Sequence, residues 1–345
     1  MATFKVSWYL LYGYLALGGF TRASPVSSGV PAITLEEHFL DAVFEPQLVA
    51  ANQTSEWIVD KLIAPSTFRI QQMDEAGIAK QVISHAPVNG NVTACQQANN
   101  DLHAIVQKNT DRFAGWCLLP VSQPAAAGEE LARCVTELGF VGAMIPNHDN
   151  GRFYDNETYW PMFSQAVKLN VPIYLHPVGP TPAMVQDEYS GSYNKVTANL
   201  LGTQGWGWHE LTGLHFLRLF ASGVFDTFPS LKLIMGHMGE MVPFQLDRII
   251  AVAEPSWEPR IRNLRTVWDD NIWVTTSGFF TLPAFRCLIA QKSTDKIMYS
   301  VDWPWGNNTD GQHFLQTLAG SGIVSKGGFE DISYRNAMAL LNLTL

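Results

Sequence analysis

Eight short apolar runs, rich in β-branched and aromatic residues, recur along the chain between longer stretches in which apolar positions return every three or four residues. The runs are ITLEEHF (33–39), KQVISHA (80–86), FAGWCLLP (113–120), FVGAMIP (140–146), VPIYLHP (171–177), LKLIMGHMG (231–239), NIWVTTSG (271–278) and KIMYSVDWP (296–304). The spacing between them, as in EELARCVTEL (129–138), MFSQAVKLN (162–170), LHFLRLFASGVF (214–225) and LPAFRCLIAQ (282–291), is that of amphipathic helices. Eight strands separated by helix-length segments predict an α/β fold, a (β/α)8 or TIM barrel.

Polar residues gather at or near the ends of these runs. Side chains alternate faces along a strand, so Glu36 and His38 point the same way while Glu37 points oppositely. With His176 in VPIYLHP and Asp302 in KIMYSVDWP they read as one metal site, because barrel strands converge at their carboxyl ends. Two imidazoles with carboxylates suit one divalent ion, Zn²⁺ first, with Mn²⁺ or Mg²⁺ also fitting an oxygen-rich set. His85 and Asn147, at other strand ends, are secondary pocket candidates.

The 345 residues, 47% hydrophobic, suffice for one large domain. A net charge of −9, from 31 acidic and 22 basic residues without a basic block, speaks against nucleic acid as a partner. Residues 1–23 carry Lys5, an apolar run from Val6 to Phe20 and small residues before Pro25, the grammar of a cleaved signal peptide and too short for a stable membrane span. The barrel domain is then expected over residues 24–345. Five N-x-S/T sequons, at Asn52, Asn91, Asn156, Asn307 and Asn342, agree with an N-glycosylated protein of the secretory pathway, whether extracellular, vacuolar or endomembrane. The four cysteines lie far apart without CxxC spacing, and Cys117 reads as a buried free thiol.

EEHF, YLHP, GHMGE, TTSG and SVDWPW, in this order, resemble the amidohydrolase-related metal-dependent decarboxylases. That group includes the γ-resorcylate, 2,3-dihydroxybenzoate, 6-methylsalicylate and aminocarboxymuconate semialdehyde decarboxylases. The likeness runs from about Ile33 to the chain's helical end and implies a metal-dependent hydrolase-like barrel. It also implies metal ligation by Glu36, His38, His176 and Asp302, proton donation by Asp302, and an acid/base pair of His237 and Glu240. Homodimers or homotetramers are a further implication. The first ligand pair is Glu-x-His and FVGAMIP holds no lysine, so one ion is expected rather than a bridged pair.

Glu240 lies about one turn from His237 if GHMGE opens a helix, where it either pairs with His237 or caps the helix. Arg248 is placed to meet a substrate carboxylate, a neighbouring subunit or a surface partner. Trp206, Trp208, Phe279, Phe280, Trp303 and Trp305 offer an apolar slot for a flat ring, and the segment from Val178 to about His209 reads as a structureless, lid-like loop. The expected activity is decarboxylation of a small ortho-hydroxylated aromatic acid, 6-methylsalicylate-like, orsellinate-like or resorcylate-like, in fungal polyketide metabolism. A metal-dependent lactonase of the same superfamily and a non-catalytic, secreted aromatic-binding glycoprotein are the alternatives.

Overall fold

The structure, a computed structural model, describes residues 29–46, 56–64 and 66–345; the signal-peptide segment and the Asn52 sequon lie outside them. Every predicted run forms a strand: β1 (Ala32–Phe39), β2 (Ile78–His85), β3 (Phe113–Gly115), β4 (Cys117–Leu118), β5 (Ala143–Pro146), β6 (Ile173–His176), β7 (Leu233–Met235), β8 (Ile272–Thr275) and β9 (Ile297–Met298). The third run is split into β3 and β4 at Trp116, whose amide still reaches Ile83 O at 2.8 Å and so keeps the wall continuous. All pairings are parallel and follow chain order, as a (β/α)8 barrel requires.

Strand alternation sorts the apolar residues into two layers. Ile33, Leu35, Val82, Trp116, Met144, Tyr174, Ile234 and Met298 form a buried cluster inside the barrel, joined by Ala337 and Leu341 of the carboxyl-terminal helix. Residues on the other face, such as Ile173, Leu175, Leu233, Met235 and Val274, pack in the larger cluster beneath the helices. The amino-terminal end is thereby an apolar core, and polar chemistry is left to the opposite mouth.

Closure between the last and first strands depends on side chains as much as on the ladder. Backbone pairing there is a single parallel bridge, Glu37 with Trp303, together with His38 N donating to Trp303 O at 2.7 Å. The Glu37 carboxylate accepts from Val301 N at 3.1 Å, Trp303 N at 3.2 Å and Ser300 Oγ at 3.2 Å. The Arg69 guanidinium donates to His38 O and lies 4.1 Å from the Trp303 ring. Glu37 is thus the outward partner that strand alternation predicted, and it fastens the seam beside Asp302.

Three expectations are corrected. Cys117 is not a free thiol: it is joined to Cys134, with Cα atoms 6.0 Å apart, because the helix Pro124–Thr136 lays its buried side on β4. The stretch after β6 is not structureless, since it folds into helical segments over Pro182–Met184, Val185–Tyr189 and Lys195–Gly202. Asn194 caps the last of these by accepting from Thr197 N at 2.9 Å. The third is GHMGE, whose backbone turns left-handed instead of opening a right-handed helix. No helix among the described residues is long and apolar enough to cross a membrane.

Candidate active site

A β-bulge aims the first two groups. Register with β2 slips between Thr34 and Glu37, so β1 carries one extra residue, and the amides of Leu35 and Glu36 both donate to Ser300 Oγ, at 3.0 and 2.7 Å. Leu35 therefore stays in the barrel interior while Glu36 and His38 turn to the mouth. Gly236, at the end of β7, permits this approach: a Cβ there would stand 2.7 Å from Glu36 Oε2.

Glu36, His38, His176 and Asp302 meet, with one donor atom from each within 4.8 Å of the others. Four atoms, Glu36 Oε1, His38 Nε2, His176 Nε2 and Asp302 Oδ1, are buried without a hydrogen-bond partner. His176 Nε2 comes within 2.8 Å of Glu36 Oε1, and His38 Nε2 within 3.2 Å of Asp302 Oδ1, without hydrogen-bond geometry. An unpaired buried polar atom costs about 1–3 kcal/mol, so four converging ones need a common partner. A divalent cation is that partner, and the chain's donors fit it.

The surroundings prepare the donors. His176 Nδ1 donates to Pro177 O at 2.7 Å, which leaves Nε2 as the bare nitrogen, and His38 Nδ1 is 2.9 Å from Ser84 Oγ. The Tyr174 hydroxyl, inside the barrel, donates to Glu36 Oε2 and is itself 2.6 Å from Thr275 Oγ1. Burial opposes the Glu36 charge, yet His237 and His176 overcome it and hold that carboxyl well below the usual range.

GHMGE does not open a right-handed helix. His237, Met238, Gly239, Glu240 and Met241 all have positive φ, at 47°, 58°, 88°, 52° and 66°. Each non-glycine residue in this region costs about 1–2 kcal/mol, and such runs persist only where surrounding contacts fix them. The left-handed turn brings His237 Nδ1 to 2.7 Å from Glu240 Oε1. His237 Nε2 then faces Asp302 Oδ2 at 3.6 Å and Glu36 Oε1 at 3.8 Å. Burial disfavours the imidazolium, but Glu240 and Glu36 outweigh it and raise the His237 pKa well above its ordinary value. Asp302 has φ of 67° and divides its oxygens: Oδ1 joins the unpartnered set, while Oδ2 faces His237.

The remaining candidates separate. Phe279 is 38% exposed and stands edge-on to His237, with ring centroids 6.3 Å apart; Trp305 meets His38 at 5.1 Å. Both border the cluster. Asn147 is consumed structurally, accepting from Val178 N at 3.1 Å and donating to Thr212 Oγ1 at 2.9 Å. His85 donates from Nδ1 to Ala86 O and accepts at Nε2 from Asp41 N, and burial lowers its pKa to about 4. Trp303 and Phe280 belong to the packing under the helices, Trp206 is exposed, and Arg248 is exposed outside the cluster.

Three participants escaped the motif-based reading. Glu37 was expected only to face away from Glu36 and His38, Tyr174 had no role assigned within the run VPIYLHP, and His209 stood only as the end of the lid-like segment. His209 Nδ1 lies 2.8 Å from Glu240 Oε2, so one carboxylate joins two imidazoles. The signal for Tyr174 was its place two residues before His176, on the same face of β6.

The chain matches the amidohydrolase family profile over residues 43–343. It is 42% identical over 323 residues to the decarboxylase orsB of Emericella nidulans, covering 91% of this chain and 97% of that protein. It is 34% identical to a γ-resorcylate decarboxylase of Polaromonas sp., covering 90% and 98%. The crystal structure of a dihydroxybenzoic acid decarboxylase from Polaromonas sp. JS666, with bound manganese and the inhibitor 2-nitroresorcinol, superposes with a TM-score of 0.81 at 30% identity, covering 91% and 97%. With the eight-stranded barrel and the converging donor set, these matches mean that the chain belongs to the amidohydrolase family, in its group of metal-dependent decarboxylases.

Proposed function

We propose that this protein removes CO₂, without oxidation, from a small ortho-hydroxylated aromatic acid of the orsellinate, 6-methylsalicylate or resorcylate type. The observation that carries the reading is the division of Asp302: one oxygen turns to the unpaired donor set, the other to the His237–Glu240 pair. A cation held by Glu36, His38, His176 and Asp302 supplies Lewis-acid charge that orients the acid and stabilises developing negative charge. Manganese is the first ion to test, given the relative that holds it, and zinc the second.

The chain's own groups then move one proton. Direct heterolysis would leave an unstabilised aryl carbanion, so the ring carbon bearing the carboxylate is protonated first, by Asp302. The bond to the carboxylate breaks next, its electrons return to the ring and CO₂ departs. His237 supplies the proton to Asp302 and regains one from solvent between turnovers, and Glu240 holds the imidazole in place throughout. Phe279 and Trp305 flank the reacting ring and limit water around it.

The test is CO₂ release and phenol formation from a panel of hydroxybenzoates with metal-quantified protein. Loss on chelation and recovery with one divalent ion support the reading; bound metal without CO₂ release from any acid shifts it to a hydrolase. A secretory route for residues 24–345, with residues 1–23 removed, belongs to the same proposal. It is supported by the exposure of Asn91, Asn156, Asn307 and Asn342, and a glycosidase mobility shift tests it. Light scattering tests the dimer or tetramer.

A further inference from the structure

His209 has no place in the proton path just described, yet it stands beside it. It lies at the start of the helix Gly207–Ala221, its ring centroid 4.7 Å from that of His237 and 5.4 Å from that of Phe279, edge-on to the latter. Its Nδ1 is 2.8 Å from Glu240 Oε2. An ionised carboxylate only accepts, so the proton of the neutral ring is on Nδ1 and the other nitrogen, Nε2, carries a lone pair.

That lone pair is unused. No described residue hydrogen-bonds to His209 Nε2, and it is not one of the sealed, unpaired polar atoms of the interior. The side chain is 12% exposed, and Phe279, its neighbour at the mouth, is 38% exposed. A fixed acceptor therefore sits between an apolar ring and the catalytic histidine, held rigid from behind by Glu240. Glu240 also makes this spot unwelcoming to a second carboxylate and favourable to a neutral donor.

We infer that His209 is a specificity-determining residue, whose Nε2 accepts a hydrogen bond from a second ring hydroxyl of the substrate, one other than the hydroxyl ortho to the carboxylate. The favoured class is then dihydroxylated aromatic acids over their monohydroxylated analogues. An acid lacking that hydroxyl buries the acceptor unpaired, and sites built to pair a substrate hydroxyl discriminate on that ground. The inference rests on the decarboxylase reading and adds a substrate preference to it.

The experiment compares kcat/KM for 2-hydroxybenzoate with those for 2,3-, 2,4-, 2,5- and 2,6-dihydroxybenzoate, by CO₂ release from metal-loaded protein. His209→Asn retains an amide donor where Nδ1 sits and removes the distal nitrogen; His209→Phe removes both. The wild type should prefer at least one dihydroxylated acid by roughly tenfold or more. His209→Asn should erase that preference, bringing the ratio of kcat/KM for the preferred dihydroxylated acid over that for 2-hydroxybenzoate down to about one. His209→Phe should lower turnover of every acid, since Glu240 loses a partner. A wild type that releases CO₂ without preference, or an Asn variant that keeps the preference or loses all acids equally, overturns the role of His209 alone. CO₂ release from none of the acids by the wild type overturns the decarboxylase reading and the inference with it. Should the variants melt early, competitive inhibition of the wild type by diphenol against monophenol products decides, and equal inhibition constants overturn the inference.

Discussion

On the two faces of β1, adjacent glutamates meet opposite fates. Glu36 turns to the mouth, where histidines hold it ionised and one of its oxygens is left without a hydrogen bond. Glu37 turns to the seam, where two backbone amides and the Ser300 hydroxyl donate to it. Burial pushes the Glu37 carboxyl up to about 8 against those donors and the Arg69 guanidinium. The mouth keeps unfinished polar valences, which is what binding requires. The seam finishes them, and so fixes geometry: Val301 and Trp303, the neighbours of Asp302, are held by the same carboxylate that closes the barrel. Ser300 carries that hold across to Glu36 through the two amides of the bulge.

The largest expected effect is at the mouth. Asp302→Asn keeps the left-handed backbone, which asparagine tolerates, but removes the proton donor and the ligand charge; kcat should fall by roughly 10² to 10⁴ with the circular dichroism spectrum unchanged. Turnover at the wild-type rate would sink the assignment. His38→Ala should cut metal affinity by at least about tenfold, measured as metal per chain after dialysis, and full occupancy would remove His38 from the ligand set.

At the seam the consequence should be stability rather than chemistry. Glu37→Gln retains one acceptor oxygen and turns its amide nitrogen toward either the Val301 or the Trp303 N–H group, since each donates to a different oxygen of Glu37. The cost is about 1–3 kcal/mol, a fall of roughly a few degrees in melting temperature, with metal still bound at saturation. An unchanged melting temperature would mean that the backbone bridge alone closes the barrel.

The smallest effect concerns a buried cation without the carboxylate contact that the seam provides. Lys292 donates to Trp268 O and lies 4.9 Å from the Trp268 ring, and burial lowers its pKa to about 7 from an ordinary 10.5. The folded state therefore binds fewer protons than the unfolded chain between about pH 7 and 10.5, so this residue's contribution to stability rises with pH across that window. The melting temperature of the wild type relative to Lys292→Met should increase from pH 7 to 10; a flat difference would show a lysine that is solvated in the folded protein.

The strand count and the meeting of Glu36 and His38 with His176 and Asp302 were legible because each is a local pattern at a strand end, whereas the pairing of His237 with Glu240 came from the resemblance carried by GHMGE. Side-chain alternation also placed Glu37 on the outer face. The partners of Glu37 were not legible, since they depend on Ser300, more than 260 residues away. The left-handed turn was hidden because Met238 and Met241 are poor signals for positive φ, and Gly239 alone suits it by type. His209 gave no motif, as its meaning comes from Glu240 lying opposite it.

The sequence by itself determined the fold class and the chemical kinds of the donors, because hydrophobic period and strand-end position are written into neighbouring residues. Tertiary structure decided which oxygen of Asp302 faces which partner, that a bulge turns Glu36 inward beside Leu35, that Cys117 pairs with Cys134, and that a second imidazole stands behind Glu240. These depend on angles and distances between segments far apart in the chain, which become defined only when the barrel closes and buried polar atoms must find partners.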